Sequence, residues 1–284
     1  MITRRCFRVA LFCLMFVGLG GCASTGNVVG FEQSHLNVPI RMLVMESPAS
    51  IEPGRLQPVF APDIKPGLPA SAGLIAQGEK HAQEYALASM LEALDKQARL
   101  DVINPPAEES RTIDKIAGKK FASAITQDEA DWLRATTGAD ALLRFGITDC
   151  GLTPKSWRDG YIAFEVTSTL AIAGAIAYSG SAAAKAAGSA YLVQEGVEES
   201  AESYAGFWAL DVVSRPVRIK AELVRLNPVA TVWETSDTGL SDVSLSRLTR
   251  KVASIERNNQ LDQSTNHAVR DVVSDLSAAM EKIK

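Results

Sequence analysis

The chain has 284 residues, of which 46% are hydrophobic and 22% charged, and its formal net charge at pH 7 is −4. This length suits one large domain or two small ones, and a moderately acidic chain has no electrostatic reason to bind nucleic acid. Four cysteines and three histidines supply few metal ligands, and the sequence carries no zinc-site, phosphate-loop or serine-hydrolase pattern. We therefore expect a protein without a metal, a cofactor or an enzymatic activity.

The first residues have the layout of a secretory signal. Arg4, Arg5 and Arg8 precede an apolar run of eleven residues, Val9 to Leu19, and small residues follow it. A helix that crosses a bilayer needs about twenty apolar residues. The run therefore predicts a signal peptide, residues 1–21, rather than a membrane anchor.

The residues Leu19, Gly20, Gly21 and Cys22 resemble the lipobox of bacterial lipoproteins, in which the signal is cut before the cysteine and the cysteine is acylated. The resemblance implies a diacylglycerol and an N-acyl chain on Cys22, and more than one acyl chain makes anchoring stable. Ala23 stands where the family's inner-membrane retention signal would place aspartate, which implies an outer-membrane lipoprotein that faces the periplasm. An ordinary secretory signal with an incidental cysteine is the alternative.

Processing at this site changes both the charge and the cysteine inventory. Residues 1–21 contain three arginines and no acidic residue, so their removal takes the net charge from −4 to −7. Cys6 and Cys13 leave with the signal and Cys22 is acylated, so Cys150 is the one thiol that remains. An internal disulfide framework is therefore excluded, and we expect Cys150 to be a small buried residue at the end of a strand.

The mature chain begins with a tether and a first strand. Residues 22–38 are polar and small and have no helical or strand period, which indicates a lipidated tether to a single domain, residues 39–284. The apolar run Ile40 to Ser47 predicts a buried strand. Six of the twelve prolines fall between Pro48 and Pro69, which predicts a long surface loop over residues 48–72.

Two helices and two strands are predicted next. The apolar face of the first helix, which starts near Leu74, comprises Leu87, Leu91, Leu94 and Ala98. The stretch "RLDVINPP" predicts a short strand that the two prolines end. Thr126 and Glu129 form a capping box for a second helix with Trp132 and Leu133 on its apolar face, and Gly138 ends it. "ADALLRFGITDC" then predicts a buried strand.

A hairpin and a helix are predicted near the C-terminus. One face of the first hairpin strand is apolar, with Val217, Ile219, Ala221 and Leu223, and the other is wet, with Arg218, Lys220 and Glu222. "VATVWETS" predicts the second strand. The closing helix places Ala268, Val272, Leu276 and Met280 on its buried face. Between them, "SRLTRKVASIER" is locally basic and is interpreted as a solvated helix face.

These parts resemble the envelope lipoproteins related to the curli secretion protein CsgG, the activator LpoB and the TolB N-terminal domain. The resemblance rests on a Gly-Ala-Asp phrase with a later glycine and isoleucine, and on a hairpin phrase; the residues are Gly138, Ala139, Asp140, Gly146, Ile147, Glu222, Leu223 and Trp233. It covers about residues 40–167 and 214–284, and it implies a fold only, a small mixed sheet flanked by helices in the α/β (α+β) class. Asn227 and Pro228 depart from the usual acidic, glycine-closed turn, which puts the geometry of the hairpin in question.

The segment of about 168–214 is an Ala/Gly-rich insertion between two strands. Its start alternates with a period of two, Ile162, Phe164, Val166, Leu170, Ile172 and Ile176 sharing one side, and a membrane-inserting hairpin needs such alternation. The partner strand is missing, however, because Glu195, Glu198, Glu199 and Glu202 follow without alternation. Close-packed helices are the favoured interpretation, and a hairpin or a spanning helix are the alternatives.

These observations favour a non-enzymatic accessory or assembly factor of the cell envelope. Its expected partners are outer-membrane lipid through Cys22, envelope proteins and other copies of itself, and not nucleic acid. The alternative function is a subunit of an oligomeric CsgG-like secretion channel. An envelope hydrolase is a third hypothesis, for which no nucleophile or base stands out.

Overall fold

The computed structural model describes residues 39–47, 72–119, 121, 123–151, 153, 157, 160, 167, 207, 209–250 and 252–281. The predicted signal residues Leu19, Gly20 and Gly21, the acylation site Cys22, the tether, the proline-rich loop and most of the Ala/Gly-rich insertion lie outside the described residues. The predictions made for them remain predictions.

Five strands form one mixed sheet, as predicted for the fold class. The strands are β1 (Ile40–Glu46), β2 (Leu100–Ile103), β3 (Ala141–Cys150), β4 (Val217–Leu226) and β5 (Val229–Gly239). Their order in the sheet is β2-β1-β3-β4-β5. β1 is parallel to β2 and to β3, whereas β3–β4 and β4–β5 are antiparallel. β1, β3 and β5 therefore all end at the same end of the sheet, where β4 begins.

In the described part of the chain, four helices flank the sheet: α1 (Ala72–Asp95), α2 (Ser110–Ala117), α3 (Gln127–Thr137) and α4 (Ser254–Glu281). A 3₁₀ turn covers Leu245–Leu248, and residues 209–213 are also helical. Thr167, the one described residue of the alternating stretch 161–176, is helical as well. Among the described residues, no helix is both long and apolar enough to span a bilayer.

The first face of the sheet carries the larger core. α1 and α4 pack against each other and over β3, β4 and β5, and His81 on α1 lies 2.7 Å from the Asp262 carboxylate on α4. The predicted apolar faces of β4 and α4 are confirmed, since all eight of their residues are buried. On α1 the buried residues are Ala82, Ala86, Met90 and Leu94. Leu87 and Leu91 are only partly buried, and Ala98 is exposed beyond the end of the helix.

The second face is covered by α2 and α3, which pack against β1 and β4. α3 begins at the predicted capping box, in which Glu129 N donates to Thr126 Oγ1 and Thr126 N donates to the Glu129 carboxylate. It ends at Gly138, whose φ of 69° is left-handed and suits glycine best. Leu133 is buried, as predicted.

The hairpin between β4 and β5 closes through only two residues, Asn227 and Pro228, which are joined by a cis peptide bond. Its register runs from Leu226 opposite Val229 to Val217 opposite Gly239, with one irregularity where Val232 has no partner on β4. The departure from the family's usual turn therefore leaves the hairpin intact.

Candidate functional site

Buried polar side chains gather at the end of the sheet where the chain enters and leaves the insertion. We call this group the insertion junction. Each of its members is at most 7% exposed; they are Thr153, Asp211, Ser214, Ser241, Arg247, Gln260 and Ser264. Polar groups this deeply buried require hydrogen-bond partners. The partners show which segments of the chain the insertion junction connects.

The two ends of the insertion are joined to each other. Gly151 N donates to Pro216 O at 2.7 Å, and both N and Oγ1 of Thr153 donate to Asp211 Oδ1 at 2.5 and 2.6 Å. Trp157 near the entry and Phe207 near the exit are buried. The insertion therefore leaves the domain from a closed base rather than from two separate points.

The exit of the insertion is hydrogen-bonded to the rest of the domain through the carbonyls of Val212 and Ser214. Ser214 O accepts hydrogen bonds from Ser241 N at 3.2 Å, from Ser241 Oγ at 2.7 Å and from Ser264 Oγ at 3.0 Å. Gln260 Nε2 donates to Val212 O at 3.3 Å. These donors come from the loop after β5 and from α4. The exit of the insertion is therefore hydrogen-bonded to both.

Arg215 adds a strained residue to the same place. Its φ of 44° is in the left-handed region, which costs a non-glycine residue about 1–2 kcal/mol. Burial lowers the pKa of its guanidinium, and the nearby Cys150 and Asp211 act in the opposite direction. Gly151 faces it with φ 70°, and a Cβ there would lie 3.3 Å from the Arg215 Nη2 atom.

Arg247 connects the junction to the 3₁₀ turn and to α4. Its Nη1 donates to Val213 O and to Asp242 O, both at 2.7 Å, and its Nε donates to Glu256 Oε1 at 2.9 Å. Arg250 also donates to Glu256, at 2.6 and 2.7 Å. The hydrogen bonds from Arg250 and then Arg247 lower the pKa of Glu256 to about 2. Arg247 is buried within the 3₁₀ turn, so the interpretation as a solvated helix face is wrong for this residue, whereas Arg250 is 44% exposed.

The segment that Arg247 fixes also exposes large apolar side chains. Val243, Leu245 and Ile255 are 63%, 71% and 72% exposed, and they are the large hydrophobic residues that stand out as exposed in the described part of the chain. We call residues 243–255 the apolar segment. Its exposed side chains stand on a backbone that a buried arginine holds in place.

A second polar group lies between β5 and α4. Thr235 Oγ1 lies 3.3 Å from Asp237 Oδ2 and 3.2 Å from Asp275 Oδ2, and Asp271 stands one helical turn from Asp275. Burial, followed by repulsion from Asp275, raises the pKa of Asp237 to about 6. Burial also raises the pKa of Asp271. We call Asp237, Asp271 and Asp275 the carboxylate cluster.

The predicted wet face of β4 is only partly wet. Glu222 is 5% exposed because it lies opposite Arg144 in the β3–β4 register and forms a buried ion pair with it. Arg144 Nη1 also donates to Lys119 O at 3.3 Å and to Ser123 O at 3.2 Å. This arginine therefore anchors the loop between α2 and α3 over the second face of the sheet. Arg218 and Lys220 are partly exposed, as expected for a wet face.

Asp140, one of the residues on which the family resemblance rests, has a structural role. Arg41 N donates to Asp140 Oδ2 at 3.1 Å, Asp140 N donates to Arg41 O at 2.8 Å, and Leu226 N donates to Asp140 O at 3.1 Å. Asp140 thus fixes the start of β3 between β1 and β4. Cys150 lies at the end of β3, partly buried and outside any disulfide. Among the described residues, no group of three or more His, Cys, Asp or Glu side chains is placed to hold a metal ion.

The fold and these contacts define an α/β domain with a mixed five-stranded sheet and a firmly mounted insertion. No family model matches the chain, and no curated protein matches it. A similar solved structure is the hypothetical protein CT253 from Chlamydia trachomatis, at 9% identity and a TM-score of 0.37, with 85% of this chain and 96% of that chain covered.

The PelC dodecamer from Paraburkholderia phytofirmans is also similar, at 12% identity and a TM-score of 0.30, with 84% of this chain and 86% of that chain covered. A variant PelC dodecamer from the same organism gives 12% identity, a TM-score of 0.29 and coverages of 84% and 88%. Values this low do not assign the chain to a family. The resemblance to the CsgG, LpoB and TolB families therefore stays a prediction.

Proposed function

We propose that this protein is a non-enzymatic accessory or assembly factor of the cell envelope. In this proposal it is an outer-membrane lipoprotein, anchored through acylated Cys22 and facing the periplasm, that binds a protein partner at the insertion end of its sheet. The observation that carries the proposal is the exposure of Val243, Leu245 and Ile255 on a segment that buried Arg247 fixes. Exposed large apolar side chains on a fixed backbone are suited to contact with another protein.

The direction of the strands supports this arrangement. The tether joins the domain where β1 begins, at Ile40, and the apolar segment lies at the other end of the sheet, beyond the last residue of β5. β3 has ten residues, which separate the two ends by about 33 Å. A domain tethered at one end presents the apolar segment away from the membrane that holds it.

Photo-crosslinking from single positions tests the partner site. A photo-crosslinking amino acid at Leu245 is expected to give one discrete adduct with an envelope protein in living cells. The same group at Ala98, exposed at the tether end of the sheet, is expected to give none. Leu245→Glu with Ile255→Glu should abolish an adduct formed from position 243. Failure of positions 243, 245 and 255 alike to give an adduct would refute the site.

Fractionation tests the anchor separately. The Cys22→Ala variant is expected to move from the outer-membrane fraction to the soluble periplasmic fraction, because it loses its acyl chains. If the variant still fractionates with outer membranes, the lipid-anchor proposal is wrong.

The rival function, a subunit of an oligomeric CsgG-like secretion channel, rests on the alternation within residues 161–176. Thr167, which the structure describes within this stretch, is helical. Size in mild detergent separates the two functions, because a channel subunit should elute as a large ring. An accessory factor should elute as a monomer or a small oligomer.

A further inference from the structure

The outer side of β5 is an open sheet edge. β5 is the last strand in the order, and none of the described strands pairs with its outer side. It has eleven residues, whereas β2 at the opposite edge has four. Proteins usually protect such an edge with proline, lysine or a bulge.

The second half of β5 has no proline, lysine or bulge, and its charged residues, Glu234 and Asp237, are both acidic. Its sequence from Trp233 to Gly239 contains neither proline nor lysine. The irregularity at Val232 lies before this stretch, and the seven residues from Trp233 to Gly239 pair without a break with those from Leu223 to Val217. Within the part of the chain that the structure describes, this regular half-strand has its outer side open to an added strand.

The charge beside this half-strand is negative. The carboxylate cluster lies on its α4 side, with Asp237 and Asp275 on either side of Thr235 Oγ1. Glu234 points to the other face and is 66% exposed. Among the described residues, the basic groups near this half-strand include Arg218, which donates to Ser236 Oγ and Thr238 Oγ1 and lies near Asp237, Lys220, which lies 3.5 Å from Glu234, and His267, which lies near Asp271.

We infer that the Trp233–Gly239 edge binds an extended, basic segment of a partner protein as an additional strand. Adjacent strands lie about 4.8 Å apart, and side chains directly across from each other are about 5 Å apart. A lysine or arginine opposite Thr235 or Asp237 would therefore meet the carboxylate cluster. A second copy of β5 added parallel and in register fits poorly, because it would bring Glu234 and Asp237 against identical acidic residues.

This inference deepens the proposed function, and it rests on that proposal in assuming a protein partner. The two are nevertheless separable. The apolar segment and the β5 edge use different residues, so loss of crosslinking from Leu245 and loss of strand addition at β5 are independent results.

The probe is a capped octapeptide that alternates lysine with threonine and valine. It is titrated into the full chain in mild detergent, and amide hydrogen exchange is followed. The peptide is expected to slow exchange at residues 233–239. Two control peptides are expected not to slow exchange at these residues. One carries glutamate in place of lysine and is repelled by the carboxylate cluster. The other is N-methylated at alternate amides and cannot form the backbone hydrogen bonds of an added strand.

The variant Asp237→Asn with Asp275→Asn is expected to weaken the peptide about five-fold to ten-fold, since each opposite-charge pair across strands contributes about 0.2–1 kcal/mol. Glu108→Gln with Glu109→Gln makes the same change in net charge away from β5 and should leave the affinity unchanged. Equal binding of the N-methylated peptide would overturn the inference in favour of non-specific charge attraction. Residues 233–239 that are already protected without peptide would overturn it in favour of an edge covered by the chain itself.

Discussion

Asp211 and Thr153 are 58 residues apart in the sequence, yet one carboxylate oxygen of Asp211 accepts hydrogen bonds from both the backbone N and the Oγ1 of Thr153. Both residues are at least 96% buried. This contact closes the base of the insertion without a strand pair or a disulfide. The contribution of this contact to the free energy of unfolding can be measured directly.

Asp211→Ala leaves two buried donors of Thr153 without an acceptor. We expect the free energy of unfolding to fall by about 2–4 kcal/mol, since an unsatisfied buried donor costs about 1–3 kcal/mol and more for a charged partner. Urea unfolding measures the loss, and exposed Asp131→Ala is the matched control, expected within about 0.5 kcal/mol of the wild type. An equal effect of the two variants would contradict the role of Asp211.

Arg247 and Arg250 provide a matched pair, because both donate to Glu256 but only Arg247 is buried, at 7% exposure against 44% for the other side chain. Arg247→Met should lower the free energy of unfolding by about 3–5 kcal/mol, the usual cost of breaking a buried pair. Arg250→Met should cost at most about 1 kcal/mol. Thermal or urea unfolding of both variants checks the difference, and similar losses would show that burial of Arg247 does not matter.

The raised pKa of Asp237 predicts that the stability of the protein depends on pH. Its folded pKa is raised to about 6 from an ordinary value of 3.8, so between these values the native state binds more protons than the unfolded state. Stability therefore falls as the pH rises through this window. The half-exposed position reduces the full linkage energy to about 1 kcal/mol.

Asp237→Asn is therefore expected to stabilise the protein by about 1 kcal/mol at pH 7 and to have no effect below about pH 4. Unfolding curves at both pH values measure this. Asp128→Asn, exposed on α3, is the control. A stabilisation that is the same at both pH values would point to a cause other than ionisation.

Gly239 lies where β5 packs tightly against the backbone of α4. A Cβ at this position would overlap Ser264 O and lie 2.5 Å from Ala268 N, both backbone atoms that cannot move alone. Gly239→Ala should therefore displace α4 and cost about 3 kcal/mol, at the upper end for overpacking. Gly160→Ala, with nothing within 4 Å of the added Cβ, should be neutral. The melting temperatures of the two variants test the contrast.

Local patterns in the sequence predict much of this fold. The capping box at Thr126 and Glu129, the left-handed end at Gly138 and the alternation from Val217 to Leu223 each depend on neighbouring residues only, and all three are confirmed. Glu222 shows where such reasoning fails. Its alternation predicts a solvated side chain, but its burial depends on Arg144, which comes opposite through the register of two strands 78 residues apart.

The candidate site was harder to predict for the same reason. Arg247 receives its partners from the exit of the insertion, from the loop after β5 and from α4, so its local sequence shows only a basic segment. The exposure of the three apolar residues of that segment depends on the tertiary structure and cannot be predicted from the local sequence. The predicted acylation at Cys22 depends on a short local pattern, and it stays a prediction for fractionation to test.

In the proposed membrane-tethered protein, the opposite positions of the tether and the insertion have a mechanical consequence. β1 receives the tether at its first residue, whereas β3 leads into the insertion from its last residue, and the two strands are parallel neighbours over five residue pairs. A pull between the membrane and a partner held at the insertion end would slide these strands along each other. Their hydrogen bonds would then share the load together rather than open one after another, as they would if both attachments were at the same end.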